Sequence, residues 1–303
     1  MQPLFSIVIA NYNYGRFLED AIQSVIAQDM GDQVELIICD ASSTDNSVEI
    51  IKKYADGLPP NTSRSEWEKD SNQRLTTNDQ QLITWWCSEK DGGQSAAFNK
   101  GFSHARGRFL TWLNADDVLL PGALKALSVA MDRDPSCEWW VGSSVWCDAH
   151  LRVQQFFCAH RFSAFRARFS FLMVGGPSSF FTQNLLMSSG MIDEGLHYLM
   201  DIDLWHRFHG KGVRYGRVIA PVFAYRIHAD SKMSGADVAN DAAAVSRRRR
   251  AAEEGAILRR RYGLSSSPWT RKMVLLLTFS VIDKVISFVQ TLKMKGFVLY
   301  GKQ

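Results

Sequence analysis

The residues able to do chemistry in this chain cluster just after its short apolar runs. Residues 5–10 (Phe-Ser-Ile-Val-Ile-Ala) lead into Asn11-Tyr12-Asn13, and residues 34–39 lead into Asp40-Ala41-Ser42-Ser43-Thr44-Asp45. Residues 83–88 precede Glu89-Lys90-Asp91-Gly92-Gly93-Gln94, and residues 109–113 precede Asn114-Ala115-Asp116-Asp117. A single Asp in such a place ordinarily caps a turn or a helix. Acidic groups after three successive runs point instead to one crevice that reads hydroxyls and holds a hard cation. The Asn114–Asp117 cluster is the sharpest. Carboxylates at an apolar strand end suit Mg²⁺ or Mn²⁺, which keep several waters and bind through one or two carboxylates plus substrate phosphates. Asp40, one run away, is placed to accept hydrogen bonds from a nucleobase or ribose. No GxGxxG or GxxxxGK[ST] pattern occurs, so neither a dinucleotide fingerprint nor a P-loop supports the site.

Those residues need elements to position them. The four runs, with a further one at 139–146, read as buried strands. Phe17, Ala21, Ile22, Val25 and Ile26 have helical spacing, and residues 43–54 open with Ser, Thr and Asp as a second helix would. Strand and helix in alternation predict an α/β sheet with helices on its faces, and such sheets bind ligands beyond the carboxyl ends of their strands. Residues 57–80 are rich in Pro, Ser, Asn and charge and are expected to form an exposed insertion. Trp85-Trp86 and Trp139-Trp140 read as core or sheet-face residues.

Composition narrows the class. The 303 residues carry 46% hydrophobic and 12% aromatic side chains, too many for a disordered chain, and a net charge of +4, too small and dispersed to argue for nucleic acid. Five widely spaced cysteines without a C-x-x-C pair read as buried, reduced thiols. The N-terminus lacks a basic segment followed by a long apolar one, and no run of 18 apolar residues occurs. The chain is therefore expected in the cytoplasm.

Residues 5–118 resemble the family 2 glycosyltransferases of the GT-A fold. The resemblance rests on Ser6-Ile-Val-Ile-Ala-Asn-Tyr-Asn13, Leu36-Ile-Ile-Cys-Asp-Ala-Ser-Ser-Thr-Asp45, Ser88-Glu-Lys-Asp-Gly-Gly-Gln94, Ala97-Phe-Asn-Lys-Gly101 and Gly107-Arg-Phe-Leu-Thr-Trp-Leu-Asn-Ala-Asp-Asp117. Two later stretches, Asp193 to Arg207 and Tyr225 to Ser231, are similar to that family's base-bearing and closing segments. Seven weak pieces in the right order are specific together. The resemblance implies a GT-A-like domain over 1–235 and an inverting transfer of sugar from a nucleotide donor, a UDP-sugar, to a hydroxyl of a glycan or lipid-linked acceptor. Ala10, Tyr12, Asp40, Asp91, Asn114 and Asp117 would border the nucleotide-sugar. Asp116 and His228 would approach a Mg²⁺ or Mn²⁺ ion, and Asp201 would be the general base. Two departures stand out: Cys39-Asp40 where paired acids are common, and Asn114-Ala115-Asp116 where Asp-x-Asp is common. They favour the rival reading, a non-catalytic relative that binds nucleotide-sugar or glycan.

Plainer roles compete at several positions. Asp201 and Asp203 suit a helix N-terminus through its dipole, and the other histidines share no metal-ligand spacing. From residue 236 the chain reads as a helical extension with basic clusters at Arg247–Arg250 and Arg259–Arg261. Within it Val274, Leu275, Ile282, Val285, Ile286 and Val289 interleave with lysines, which suits an anionic membrane surface, packing on the catalytic domain, or a homodimer contact.

Overall fold

The computed structural model describes residues 2–70, 82–172, 174–232, 242–265, 267, 269 and 281–301. The first half alternates β1 (Phe5–Asn11), α1 (Gly15–Ile26), β2 (Val34–Asp40), α2 (Ser47–Ala55), α3 (Arg64–Asp70), β3 (Ile83–Ser88), α4 (Gln94–His104), β4 (Phe109–Asn114), β5 (Val118–Leu119) and α5 (Ala123–Arg133). There follow β6 (Trp139–Cys147), β7 (Val153–Phe157), α6 (Ala164–Phe169), β8 (Ser179–Thr182), α7 (Gln183–Ser188), α8 (Met200–Gly210), β9 (Gly216–Arg226), α9 (Ala242–Arg261) and α10 (Val281–Met294). The described strands form one mixed sheet in the order β3-β2-β1-β4-β8-β6-β9-β5, with β7 paired to β6.

Strand β1 pairs in parallel with β2 on one side and β4 on the other. The chain thus winds away from β1 toward one edge and then restarts on the opposite side, which opens a crevice beyond the carboxyl ends. The register sets Asn11 beside Asp40, Asp40 beside Ser88 and Ala10 beside Asn114. The polar residues that end each apolar run therefore stand in one row.

These strands are mostly apolar because both faces of the sheet are covered. Phe5, Ile7 and Ile9 of β1 pack on one face with Leu18, Ile22 and Val25 of α1, Ile51 of α2 and Leu124 and Leu127 of α5. Val8 points the other way, into a core with Phe98 and Phe102 of α4 and Trp205 and Phe208 of α8. Trp205 stacks on Trp112 of β4 and Trp139 of β6 at centroid distances of 5.7 and 5.0 Å. Its indole Nε1 donates to the Val174 carbonyl at 3.1 Å, so α8 is seated in both rotation and height.

Two expectations change in detail. The 57–80 insertion is not simply exposed: Leu58 is buried, its carbonyl accepts from Trp86 Nε1 at 2.8 Å, and the buried Arg64 donates to the Ala55 carbonyl at 2.6 Å. Trp67 packs on the core beside them, a contact that the charge-rich composition conceals; residues 71–81 lie outside the described residues. The C-terminal helices also differ from one another. Helix α9 places Leu258 in the core shared with α8, whereas α10 lies on β7, where Thr291 Oγ1 and Ser287 Oγ each accept from a backbone N–H at 3.0 Å. Residues 273–275, part of the apolar pattern read from the sequence, lie outside the described residues. All five cysteines are free thiols and four are buried.

One buried carboxylate ties the strand starts together. Glu35 of β2 accepts from Ser6 Oγ of β1 at 2.6 Å, and from Arg106 Nε and Gly107 N, just before β4, at 3.0 and 3.1 Å. Replacing Glu35 by Ala takes the carboxylate from the buried donors Ser6 Oγ and Gly107 N, and unfolding in urea is expected to show a loss on the order of 3 kcal/mol. A loss below about 1 kcal/mol would remove this knot from the account of the sheet.

Candidate active site

A cavity of about 770 Å³ opens where the strand tips converge. Ala10 and Tyr12 line it from the end of β1, Asp91 and Gln94 from the turn after β3, Asn114 and Asp116 from the end of β4, and Asp201 from the first turn of α8. Gly93 has φ +106°, a region L-residues rarely adopt, and this conformation lets its N–H donate to Asp91 Oδ1 at 2.8 Å. Gly176 forms part of the wall; a Cβ there would sit 2.3 Å from the Trp112 ring.

The strand-tip acids do not all face this cavity. Asp40, expected beside the nucleoside, is 1% exposed and is absent from the lining. Its oxygens accept from Asn11 Nδ2 at 2.7 Å, Ser88 Oγ at 2.6 Å and Ser43 N at 3.0 Å. A buried carboxylate needs such donors, and here they consume it. Asp117, also expected on the donor, is fully buried, accepting from Asn114 Nδ2 at 2.7 Å and from Arg226 N at 2.9 Å. Burial, with the Asp116 charge adding to it, holds its pKa well above the usual carboxylate range. Both residues organise the tips from beneath.

Asp116 keeps its place in the cavity. Its Oδ2 lies 3.1 Å from His228 Nε2. His228 does not line the cavity; its ring is held against Phe17 and Tyr14 at centroid distances of 4.7 and 5.8 Å. Among the described residues no group of three or more His, Cys, Asp or Glu could hold a metal ion by itself. The Asp116–His228 spacing nevertheless fits one: adjacent donors around an ion with bonds of about 2.1 Å stand roughly 3 Å apart. A carboxylate plus an imidazole leaves the remaining positions to water and substrate oxygens.

Asp201 sits in a different environment. Its Oδ1 accepts from the Ile202 N–H at 2.7 Å, and burial pushes its pKa up to about 6, against the opposing pull of that bond and of the Lys232 charge. A carboxylate poised there can take a proton near neutral pH. Lys232 donates to Gln94 Oε1 at 2.9 Å; burial lowers its pKa, while the charges of Glu254 and Asp201 hold it up.

Several lining residues escape sequence reasoning. Gln94 has a role beyond starting α4: it receives Lys232 on one side and donates from Nε2 to Asn114 Oδ1 at 3.0 Å on the other. Lys232 directly follows the Tyr225–Ser231 stretch, a positional signal. Arg247 lines the cavity from α9, but in sequence it is one of four consecutive arginines that read only as a basic cluster. His197 and Tyr198 also contribute to the wall.

Against this geometry, the fold and its strand-tip crevice define a GT-A-type sheet. The family model described as Glycosyl transferase family 2 matches residues 6–143, and the match supports a glycosyltransferase domain there. An uncharacterized glycosyltransferase of Nostoc sp. PCC 7120 is 35% identical over 122 residues, which are 40% of this chain and 31% of that protein; the chain thus spans about a third of that relative's length. Among solved structures, the mannosyltransferase PcManGT of Pyrobaculum calidifontis, in complex with GDP-Man and Mn²⁺, superposes with a TM-score of 0.56 at 15% identity, over 97% of this chain and 81% of that one. TarS 1–349 of S. aureus in complex with UDP-GlcNAc gives 0.51 at 14% identity, over 95% and 79% of the two chains.

The chain Lys232–Gln94–Asn114–Asp117 accounts for an amide in place of an acid at 114, since Asn114 must accept from one side and donate to the other. Asn114→Asp removes the donor and adds a carboxylate beside buried Asp117. The expected result is a stability loss of about 2 kcal/mol in thermal or urea unfolding. An equal or higher midpoint would contradict the amide's role.

Proposed function

We propose that this protein is an inverting, metal-dependent glycosyltransferase that moves a sugar from a UDP-sugar to a hydroxyl of a glycan or lipid-linked acceptor. The observation that carries the reading is one cavity lined by both Asp116, paired with His228, and Asp201, whose pKa is raised to about 6. Tyr12, 59% exposed, and Ala10 offer a surface for the nucleoside, and Lys90, Lys232 and Arg247 give the wall positive charge suited to a diphosphate. The UDP-GlcNAc complex of the TarS fold neighbour supports a uridine donor, and the GDP-Man and Mn²⁺ complex of PcManGT supports a cation.

In the proposed reaction Asp201 accepts the acceptor hydroxyl's proton as its oxygen bonds to the anomeric carbon. The bond from that carbon to the diphosphate oxygen breaks, and the nucleotide departs with the electron pair. Asp116 and His228 would hold a Mg²⁺ or Mn²⁺ ion, whose charge would offset that of the departing diphosphate. Attack opposite the leaving group inverts the anomeric configuration, with no covalent intermediate on the protein.

The test is UDP release from a panel of UDP-sugars with Mn²⁺. Asp201→Asn is expected to lower release by at least about 100-fold while leaving UDP binding intact; equal turnover takes Asp201 out of the base role. Wild-type rate should climb as pH rises through about 6, because only the ionised carboxylate accepts a proton. A carboxyl whose folded pKa exceeds its unfolded value loses stability as pH rises through the folded one, so Asp201→Asn should melt higher than wild type at pH 8. UDP binding without any release from the wild type supports the rival, a non-catalytic nucleotide-sugar-binding relative.

Helix α10 supports contact with an anionic membrane. Ile282, Phe288 and Leu292 are 67%, 65% and 63% exposed, and the sole acid after Glu254, Asp283, is buried against Arg217 at 2.7 Å. The exposed charges of the helix are lysines, which favour acidic headgroups and disfavour a like-charged copy of the same face. Among the described residues no helix is long and apolar enough to cross a membrane. Full-length protein is expected to float with phosphatidylserine vesicles and not with phosphatidylcholine alone, and Phe288→Glu with Leu292→Glu should abolish flotation. A dimer in solution and no flotation would assign the face to a second subunit.

A further inference from the structure

One buried carboxylate beside the cavity has no part in the reaction as proposed. Glu254, in the middle of α9, is 8% exposed. Its two oxygens accept from three consecutive backbone N–H groups, those of His197, Tyr198 and Leu199, at 2.8, 2.9 and 3.0 Å. These residues immediately precede α8. The first N–H groups of any helix lack partners within it, and a local Ser, Thr, Asp or Asn normally supplies one. Here the cap position is Leu199, which has no side-chain oxygen to offer and makes no side-chain cap bond. Glu254, on a helix 55 residues further along the chain, satisfies the Leu199 N–H at that position and the two N–H groups before it. A carboxylate held by successive main-chain N–H groups occupies an anion nest, and the charge also faces the positive end of the α8 dipole.

The same helix grips α8 again just beyond. Arg261 donates to Asp203 Oδ1 at 2.6 Å, and the Tyr262 hydroxyl, one residue past α9, donates to the same oxygen at 2.7 Å. Asp203 is fully buried and is further bonded by Arg207 Nε at 2.8 Å, so it is a structural anchor. Asp201 lies between the two grips, at the second residue of α8.

We infer that Glu254 is a positioning residue for the transfer reaction: by clamping the backbone of residues 197–199 it sets where the Asp201 carboxylate stands in the cavity. On this inference α9 belongs to the catalytic unit and is no appendage. The inference rests on the reading of Asp201 as base.

Glu254→Gln in the full-length protein preserves shape, yet its amide nitrogen cannot accept, so at least one of the three N–H groups loses its partner. With Mn²⁺ and whichever UDP-sugar of the panel the wild type turns over, kcat is expected to fall between about 10- and 100-fold, the scale of a small misplacement of a reacting group. The donor KM should change less than kcat: Glu254 also supports the Lys232 charge, but Ala10, Tyr12 and Asp116 stand on other elements. In an Asp201→Asn background the same change should add less than twofold, since two residues acting through one step are not additive. Unchanged kcat, a KM rise that accounts for the whole loss, or an equal loss in the Asp201→Asn background overturns the inference. Full turnover in Asp201→Asn alone overturns the base reading and the inference with it, whereas full turnover in Glu254→Gln with Asp201→Asn inactive overturns the inference only. Hydrogen exchange on the wild type needs no variant: slow exchange at the amides of residues 197–199 is expected, and exchange at the rate of an open loop overturns the clamp.

Discussion

Parallel pairing of β1 with β2 and with β4 is the constraint on which everything else in this molecule rests. It fixes a register in which the last residue of one strand stands beside the last of the next. Because each strand is largely apolar and covered on both faces by differently shaped cores, a slip of one residue would carry buried side chains to the wrong side. The polar row at the tips is thus held in place by the packing of Ile, Leu, Phe and Trp beneath it. Chemistry at the tips inherits that rigidity.

Within the row, desolvation divides the acids by function. A carboxylate taken out of water needs donors, and Asp40 and Asp117 find enough of them within the chain to be saturated. Asp116 and Asp201 are left facing the cavity with fewer chain partners and with capacity for something else. The amides of Gln94 and Asn114 link the two sides through bonds whose donor and acceptor ends are each defined. Neutral groups in these positions limit the charge repulsion that a third strand-tip acid would bring.

Much of this was legible in the residues themselves. The five apolar runs coincide with β1, β2, β3, β4 and β6 to within a residue, because buried parallel strands leave no polar alternation to confuse the reading. The convergence of Ala10, Tyr12, Asp91, Asn114 and Asp116 followed from the rule that ligands meet such sheets at the carboxyl ends, whereas Asp201, on a helix, was implied only by the family resemblance. What could not be read was orientation. Nothing in a run such as Cys39-Asp40 says that Ser43 and Ser88 will fold over and engage the carboxylate, nor does Asp116-Asp117 say which of two neighbours turns inward. The contribution of α9 was hidden for another reason: Arg247 and Glu254 lie in a stretch so rich in Arg and Glu that any face of the helix reads as solvated.

The pairing of Asp116 with His228 spans 112 residues of sequence, and that of Asp117 with the Arg226 N–H spans 109. A ribosome delivers the β1–β4 half of the sheet long before it delivers these partners. The acidic corner therefore lacks its imidazole until those later residues have been made. The Asp116–His228 pair exists only once β9 lies between β5 and β6. Pairings so far apart in sequence carry a loop-closure cost that raises contact order and slows folding.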